Sequence, residues 1–474
     1  MKTKYLFNSS GDKKFCIGLG CIIFGITAGY LIGANPLFLV LALVAVIVIA
    51  LWFKSYEISA LAALILRTAI DSTSSPPLPS VMGTAICILT LLYVAVLIFR
   101  RKTIQIDWFC WFFASWILLQ GLWVLLLPLG GLGLDGSYLS ESIREWVRIF
   151  SWLMVYLMIM QLKDKLSPQK VISILFLSLI IPLVVALLQI IVPSVLPTNL
   201  APLVAEALGP GGSDGARIRG TIGHPNGFAT YLFLFIGLTS WKLGSSKQKL
   251  PWLLLLGVLA FFYVSAKALF SLMMIGVFVL VLIAPQLSVL NLIAGILLFG
   301  IMIGLFASTP FGQERLGSIG NTPLLNPDID VSRAILLSRS DGNSFNWRIA
   351  QWTYLWQRFC EFPILGYGLG LTKTITANHL EAHNDYVRAL VEGGITGFIT
   401  FIGLFVVQLV RIGQLIKRSR PGSKHRNFCL VLLAILIPIP VGMITENIWS
   451  HTMLFSYWFS ALAVAGWDWD EEKT

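Results

Sequence analysis

Apolar residues fall in long runs along the chain, separated by short polar breaks. Runs of about 18 to 22 residues fit helices that cross a hydrocarbon layer about 30 Å thick. The two-residue alternation of a membrane barrel is absent. The pattern predicts spans at 16–33 and 36–53, joined by a tight "GANP" turn. A short one follows at 56–70, then 80–99, 107–127, 143–161 and 169–193. A middle set covers 221–241, 250–264, 268–284 and 289–307, and a last set 393–412, 427–445 and 449–467. The expectation is therefore an all-α polytopic bundle of about 12–14 transmembrane helices, with both termini on one side. Backbone groups that meet no water must be satisfied within the chain, which favours helices.

One stretch interrupts the pattern. Residues 308–392 are polar and far longer than an ordinary connection, which divides the chain into a bundle at 1–307, a long loop at 308–392 and returning helices at 393–474. Within the loop, "FNWRIAQWTYLWQRF" sets Trp352 and Trp356 four residues apart, on one helical face. This predicts helices lying at the membrane surface.

Composition strengthens the picture. Of 474 residues, 57% are hydrophobic and 12% charged, against about 25% charged in soluble domains. The net charge of +11 would suggest nucleic acid in a soluble protein, but here it follows the excess of Lys and Arg in cytoplasmic loops, so no nucleic-acid partner is expected. With the N-terminus inside, Lys54, "RRK" at 100–102, "KDK" at 163–165, "KLGSSKQK" at 242–249 and "KRSRPGSKHR" at 417–426 all fall on the cytoplasmic side. The 56–70 run reads as a crossing, because otherwise those clusters change sides; the alternative is an interfacial helix. The first apolar run reads as an uncleaved helix, since a second follows almost at once. The six cysteines show no C-x-x-C spacing, which argues against metal or redox work.

A second set of cations breaks the inside trend: Arg67, Arg144, Arg148, Arg217, Arg219, Lys267, Arg348 and Arg388. Ionisable groups at membrane depth are expensive and point to function. The plain alternative is snorkelling or pairing with Glu141, Glu145 or Asp214. As a set they suggest an outer-face anion site, since the guanidinium fork suits phosphate. The stretch "RIRGTIGHPNGFA" puts His224 and Asn226 just before a span, with Asn226 as a candidate cap.

In "HNDYVRALVEGGITGF", His383, Asn384, Tyr386, Arg388 and Glu392 gather at the mouth of a span. An imidazole there suits proton transfer, with Asp385 or Glu392 as its orienting partner. "HLEAH" would present His379 and His383 to zinc if it were helical, but no third ligand is evident. The reading assigns no metal and no cofactor. The turn at Gly366, Gly368 and Gly370 would let backbone approach a ligand closely.

These segments together resemble the O-antigen ligase and O-antigen polymerase superfamily. The resemblance rests on "FNWRIAQWTYLWQRFCEFPILGYGLG", then "HNDYVRALVEGGITGF", with "RIRGTIGHPNGFA" upstream. It covers most of residues 200–412. It implies a GT-C-like fold in the bacterial inner membrane, with an active site facing the periplasm. There a glycan would move from an undecaprenyl diphosphate carrier to an acceptor hydroxyl, inverting and without a metal. It implies that His383, Arg348 and Arg217 or Arg219 are the essential residues. Lys267 departs from the pattern, standing where many members have Arg. Further binding positions expected are Arg67, Arg144, Arg148, Asn384, Tyr386, Arg388, Glu392, His224 and Asn226. The partners are a lipid-linked glycan, membrane lipids, and an acceptor glycan or lipid A core. A protein acceptor is a third option, with no extra C-terminal domain to favour it. A bicarbonate-like anion transporter is the alternative from another class, although transporters concentrate charge near the midplane.

Overall fold

In a computed structural model, residues 36–70, 78–191, 217–283, 322–338 and 344–469 are described, with a few isolated positions between 288 and 313. The expected spans at 16–33 and, for the most part, 289–307 lie outside them. The chain forms two compact units, 1–60 and 61–474. In the first, α1 (Pro36–Lys54) is followed by the start of α2 (Tyr56–Ile70), and Trp52 meets Tyr56 edge-on at 5.7 Å.

The second unit holds the last part of α2 and then α3 (Leu78–Phe99), α4 (Trp108–Leu126) and α5 (Leu139–Met160). Next come α6 (Pro168–Leu175) and α7 (Ile180–Ile191), joined by one 3-10 turn, then α8 (Pro225–Ser245), α9 (Leu250–Ser265) and α10 (Leu269–Ile283). The loop region contributes α11 (Val331–Ser338), α12 (Ser344–Glu361) and the single turn α13 (Thr372–Ile375). The chain closes with α14 (Asp385–Arg418), α15 (Lys424–Leu436), α16 (Pro438–Gly442) and α17 (Thr452–Ala465). No strand occurs among the described residues. A helix stands at every expected span that the described residues cover.

Five of these, α3, α4, α6–α7, α14 and α15–α16, are long and apolar enough to cross a membrane by themselves. Others fall short for physical reasons. The first half of α5 carries Glu141, Arg144, Glu145 and Arg148, and α9, α10 and α17 are shorter than 18 residues. Two helices are buried nearly all round: α8 from Pro225 to Thr239, and α17 from Met453 to Ala465. They form the centre, as a helix without a polar face must. Trp152, Tyr231, Phe235, Tyr457 and Trp458 fill it. Ile88, Leu118, Leu254, Ile399 and Val410 point outward, as hydrocarbon contact requires.

The helices alternate in direction, so the starts of α3, α5, α8, α10, α14 and α17 share one end. The opposite end is tied by Arg411–Asp107, by Lys163–Asp468 at 2.9 Å and by Trp241 Nε1 donating to the Lys424 carbonyl at 3.2 Å. The basic clusters at 100–102, 163–165, 242–249 and 417–426 lie at that opposite end.

The start of the returning helices differs from the expected residue 393. Helix begins at Asp385, because the Asn384 carboxamide accepts from Tyr386 N at 3.0 Å and Val387 N at 3.1 Å. It then kinks at Gly394 (φ 61°, ψ −163°). Into that kink packs the glycine turn: Tyr367 N donates to Val391 O and Gly368 N to Glu392 O, at 2.9 and 3.0 Å. A Cβ on Gly366 would sit 2.5 Å from Val391 O. The close backbone approach expected of these glycines is thus made to α14 itself.

Candidate functional site

His383 sits just ahead of α14 with φ of 51°, a left-handed conformation uncommon for residues with a Cβ. It is held by its amide, which donates to Asn447 Oδ1 at 2.7 Å. Its ring meets Trp347 edge-on at 5.2 Å. Nδ1 stands 3.4 Å from Glu446 Oε1, without good hydrogen-bond alignment. Residues 379–383 are irregular, and His379 also has positive φ. "HLEAH" therefore displays no pair of imidazoles on a helical face.

The orienting partner is neither Asp385 nor Glu392. Asp385 accepts from Trp449 N at 2.8 Å. Glu392 accepts from Arg388 Nε at 3.0 Å, Gly370 N at 2.9 Å and Thr372 Oγ1 at 2.7 Å, which anchors the glycine turn. Glu446 takes the role instead. Its Oε2 accepts from Asn226 Nδ2 at 2.5 Å, and its Oε1 accepts from Asn447 N at 3.1 Å. Burial pushes the Glu446 carboxyl up, but contact with His383, and behind it His451 and Arg348, holds it at about 2. Its folded value is depressed, so the stability it contributes is complete above the ordinary carboxylate range and fades only as pH falls toward 2.

Asn226 does not cap α8. His224 is the cap, its Nδ1 accepting from Asn226 N at 3.2 Å, with Pro225 at the first helical position. That frees the Asn226 side chain to bridge: its Oδ1 accepts from Arg217 at 2.5 Å while its amide donates to Glu446. Arg217 also donates through Nε to Ala266 O at 3.1 Å. Lys267 follows, exposed between buried Ala266 and Ala268 in the α9–α10 turn, with φ of 50°. Arg219 donates to Gly223 O at 3.3 Å, and its Nε is buried without a hydrogen-bond acceptor among the described residues. Arg348, on α12, donates to Thr445 O at 3.1 Å, and its Nε is likewise buried without an acceptor. Two guanidinium groups with unmet buried donors, Arg348 near Glu446 and Arg219 near His224, suit an incoming anion.

His451 belongs to the same cluster. It is half-buried, its Nδ1 lies 2.9 Å from Thr230 Oγ1, and it lines a 280 Å³ cavity with His224, Gly227 and Thr452. Burial, first of all, depresses the His224 imidazole, which favours its neutral form. No sequence motif marks Glu446, Asn447 and His451; only their polarity at the edge of an apolar run signals them.

The remaining predicted residues lie apart from His383. Arg388 is buried and committed to Glu392 at 3.0 Å, Glu145 at 2.7 Å and Ser450 Oγ at 2.9 Å. Arg148 binds Glu145 and the Trp449 carbonyl. Tyr386 donates to Pro440 O at 2.8 Å. Arg67, Arg144 and Arg148 line a separate cavity of 440 Å³.

Residues 251–402 match the O-antigen ligase family model. The likeness read from the sequence is shown on that stretch, which includes Lys267, Arg348, His383 and the glycine turn. A Rickettsia conorii protein, whose name makes it a candidate polysaccharide ligase, is 30% identical over 118 residues. That alignment covers 22% of this chain and 27% of the relative, so only about a quarter of the relative is matched. Arg217, Asn226, Glu446 and His451 stand outside the O-antigen ligase stretch, yet the fold brings them to His383.

Proposed function

We propose that this ligase-family membrane protein is a glycosyltransferase that moves a glycan from an undecaprenyl diphosphate carrier to an acceptor hydroxyl. The observation that carries this reading is His383 facing Glu446, with Arg348 near the pair, Arg217 tied to Glu446 through Asn226, and Arg219 beside His224. Glu446 faces Nδ1, which leaves Nε2 of His383 to receive a proton. The acceptor oxygen loses its proton to Nε2 and attacks the anomeric carbon. The bond from that carbon to the diphosphate oxygen breaks, with inversion. Arg348 and Arg217, with Arg219 beside them, take up the charge that develops on the leaving diphosphate. Asn226 positions Arg217 and Glu446 together.

The end of the bundle that holds His383 is opposite the basic clusters, which by the positive-inside rule supports an outer, periplasmic location. A transporter reading finds less support, because the charges gather at one end of the bundle. Lipid A core, a second lipid-linked repeat unit and a protein hydroxyl remain alternative acceptors. Product analysis separates them: a ladder without added core means polymerase, and one transfer requiring the core means ligase.

Two outcomes test the mechanism. Arg348→Lys should lower transfer by roughly 10²-fold or more, since a point charge cannot reproduce the fork; near-normal turnover would remove Arg348 from it. Transfer by the purified protein should persist in EDTA, because the arginines supply the charge stabilisation. Loss in EDTA that a divalent ion restores would overturn the metal-free step.

A further inference from the structure

The arginines expected to form one anion site occupy two places. Besides the His383 cluster, a 440 Å³ cavity lies between the starts of α3 and α5 and the turn after Gly370. That volume falls within the range of small-molecule sites. Five cationic side chains line it: Arg67, Arg144, Arg148, Lys373 and Arg388. Three acids oppose them: Glu141, Glu145 and Glu381. Glu145 is already engaged by both Arg148 and Arg388. The side chains of Arg144 and Lys373 are exposed and make no hydrogen bond or salt bridge among the described residues, and Glu141 is the acid nearest in charge to both. The guanidinium of Arg67 is buried in the wall against Gly83. The cavity therefore carries a surplus of positive charge held ready by Arg144 and Lys373. Through Thr452 it adjoins the smaller cavity of His224 and His451.

We infer that this cavity is a second anion subsite, which takes a phosphate- or carboxylate-bearing sugar of a glycan substrate while the His383 cluster handles the leaving diphosphate. The inference rests on the glycosyl-transfer reading, but its test reads binding without turnover. The volume accommodates a sugar as well as its anionic group, and the site shares Thr452 with the cavity of His224 and His451, so one glycan can reach both. Arg144 and Lys373 supply the attraction, and Arg67 supplies fixed charge at the base.

The experiment measures binding of glucose 6-phosphate, glucose and inorganic phosphate to the full-length protein in nanodiscs, by saturation-transfer NMR. Wild type should bind glucose 6-phosphate, and Arg144→Gln/Lys373→Gln should bind it at least tenfold more weakly. Both positions are exposed, so thermal unfolding of the double variant should match wild type. His383→Ala and Arg348→Gln should bind it within twofold of wild type, even where transfer is lost. Unchanged binding in the double variant overturns the subsite, as does an absence of binding to wild type. Loss of binding in His383→Ala or Arg348→Gln would mean a single shared site. Equal binding of glucose would exclude anion recognition, and equally tight inorganic phosphate would exclude a role for the sugar.

Discussion

His383→Ala should lower glycosyl transfer by roughly 10²–10⁴-fold, the range for removing a general base, while the protein still folds into the membrane. The side chain would lose its 3.4 Å contact with Glu446 and its edge-on packing on Trp347, while the bond from its amide to Asn447 remains. Its backbone, however, is left-handed, and Ala tolerates that conformation poorly. His383→Asn provides the control, because Asn enters the left-handed region readily but does not accept a proton as imidazole does. Equal losses in both variants assign the effect to the ring. Loss with Ala and recovery with Asn would assign it to loop geometry, and full activity in both would remove His383 from the chemistry. The measurement is release of undecaprenyl diphosphate by purified variants, with binding of the donor measured separately.

Gly394→Ala should have the largest effect on folding. At φ 61° and ψ −163° the backbone lies in a region reserved essentially for glycine. An added Cβ would meet Ile364 C and O at 2.3 Å, and these are backbone atoms that cannot rotate away. The kink is also where Ile395 N reaches Pro363 O at 2.8 Å, so any shift uncouples α14 from the glycine turn. A cost of about 3 kcal/mol or more is expected from strain and overlap together. It should appear as lower thermal stability in detergent and reduced accumulation in the membrane. Gly403, on the same helix with nothing within 4 Å of its Cβ position, is the contrast: Gly403→Ala should be neutral or stabilising by about 0.5–1 kcal/mol. Equal stability of both variants would contradict the packing of the glycine turn against the kink.

The sites of the helices were legible because hydrocarbon imposes a coarse, local rule on sequence. A run such as 80–99 or 250–264 announces its helix without reference to any other residue. His383 was legible too, since an imidazole beside a cap and a glycine-rich helix start is a local signal. Its partner was not. Asp385 and Glu392 were nearer in sequence, yet one caps Trp449 and the other anchors the glycine turn. The carboxylate that faces His383 comes from residue 446, by way of a helical hairpin. Asn226 illustrates the same limit: its position suggested a cap, but His224 caps α8 and Asn226 joins Arg217 to Glu446.

The sequence by itself determined an all-helical membrane bundle, its alternation, and the residue types available at one end. Those features depend on hydropathy and backbone hydrogen bonding within each segment. Only the tertiary structure decided which charges meet: the division of the arginines between the His383 cluster and the cavity of Arg67 and Arg144, and the choice of Glu446 over nearer acids. Ion pairs and hydrogen bonds act over about 3 Å, and helices that are remote in sequence come that close only when they pack.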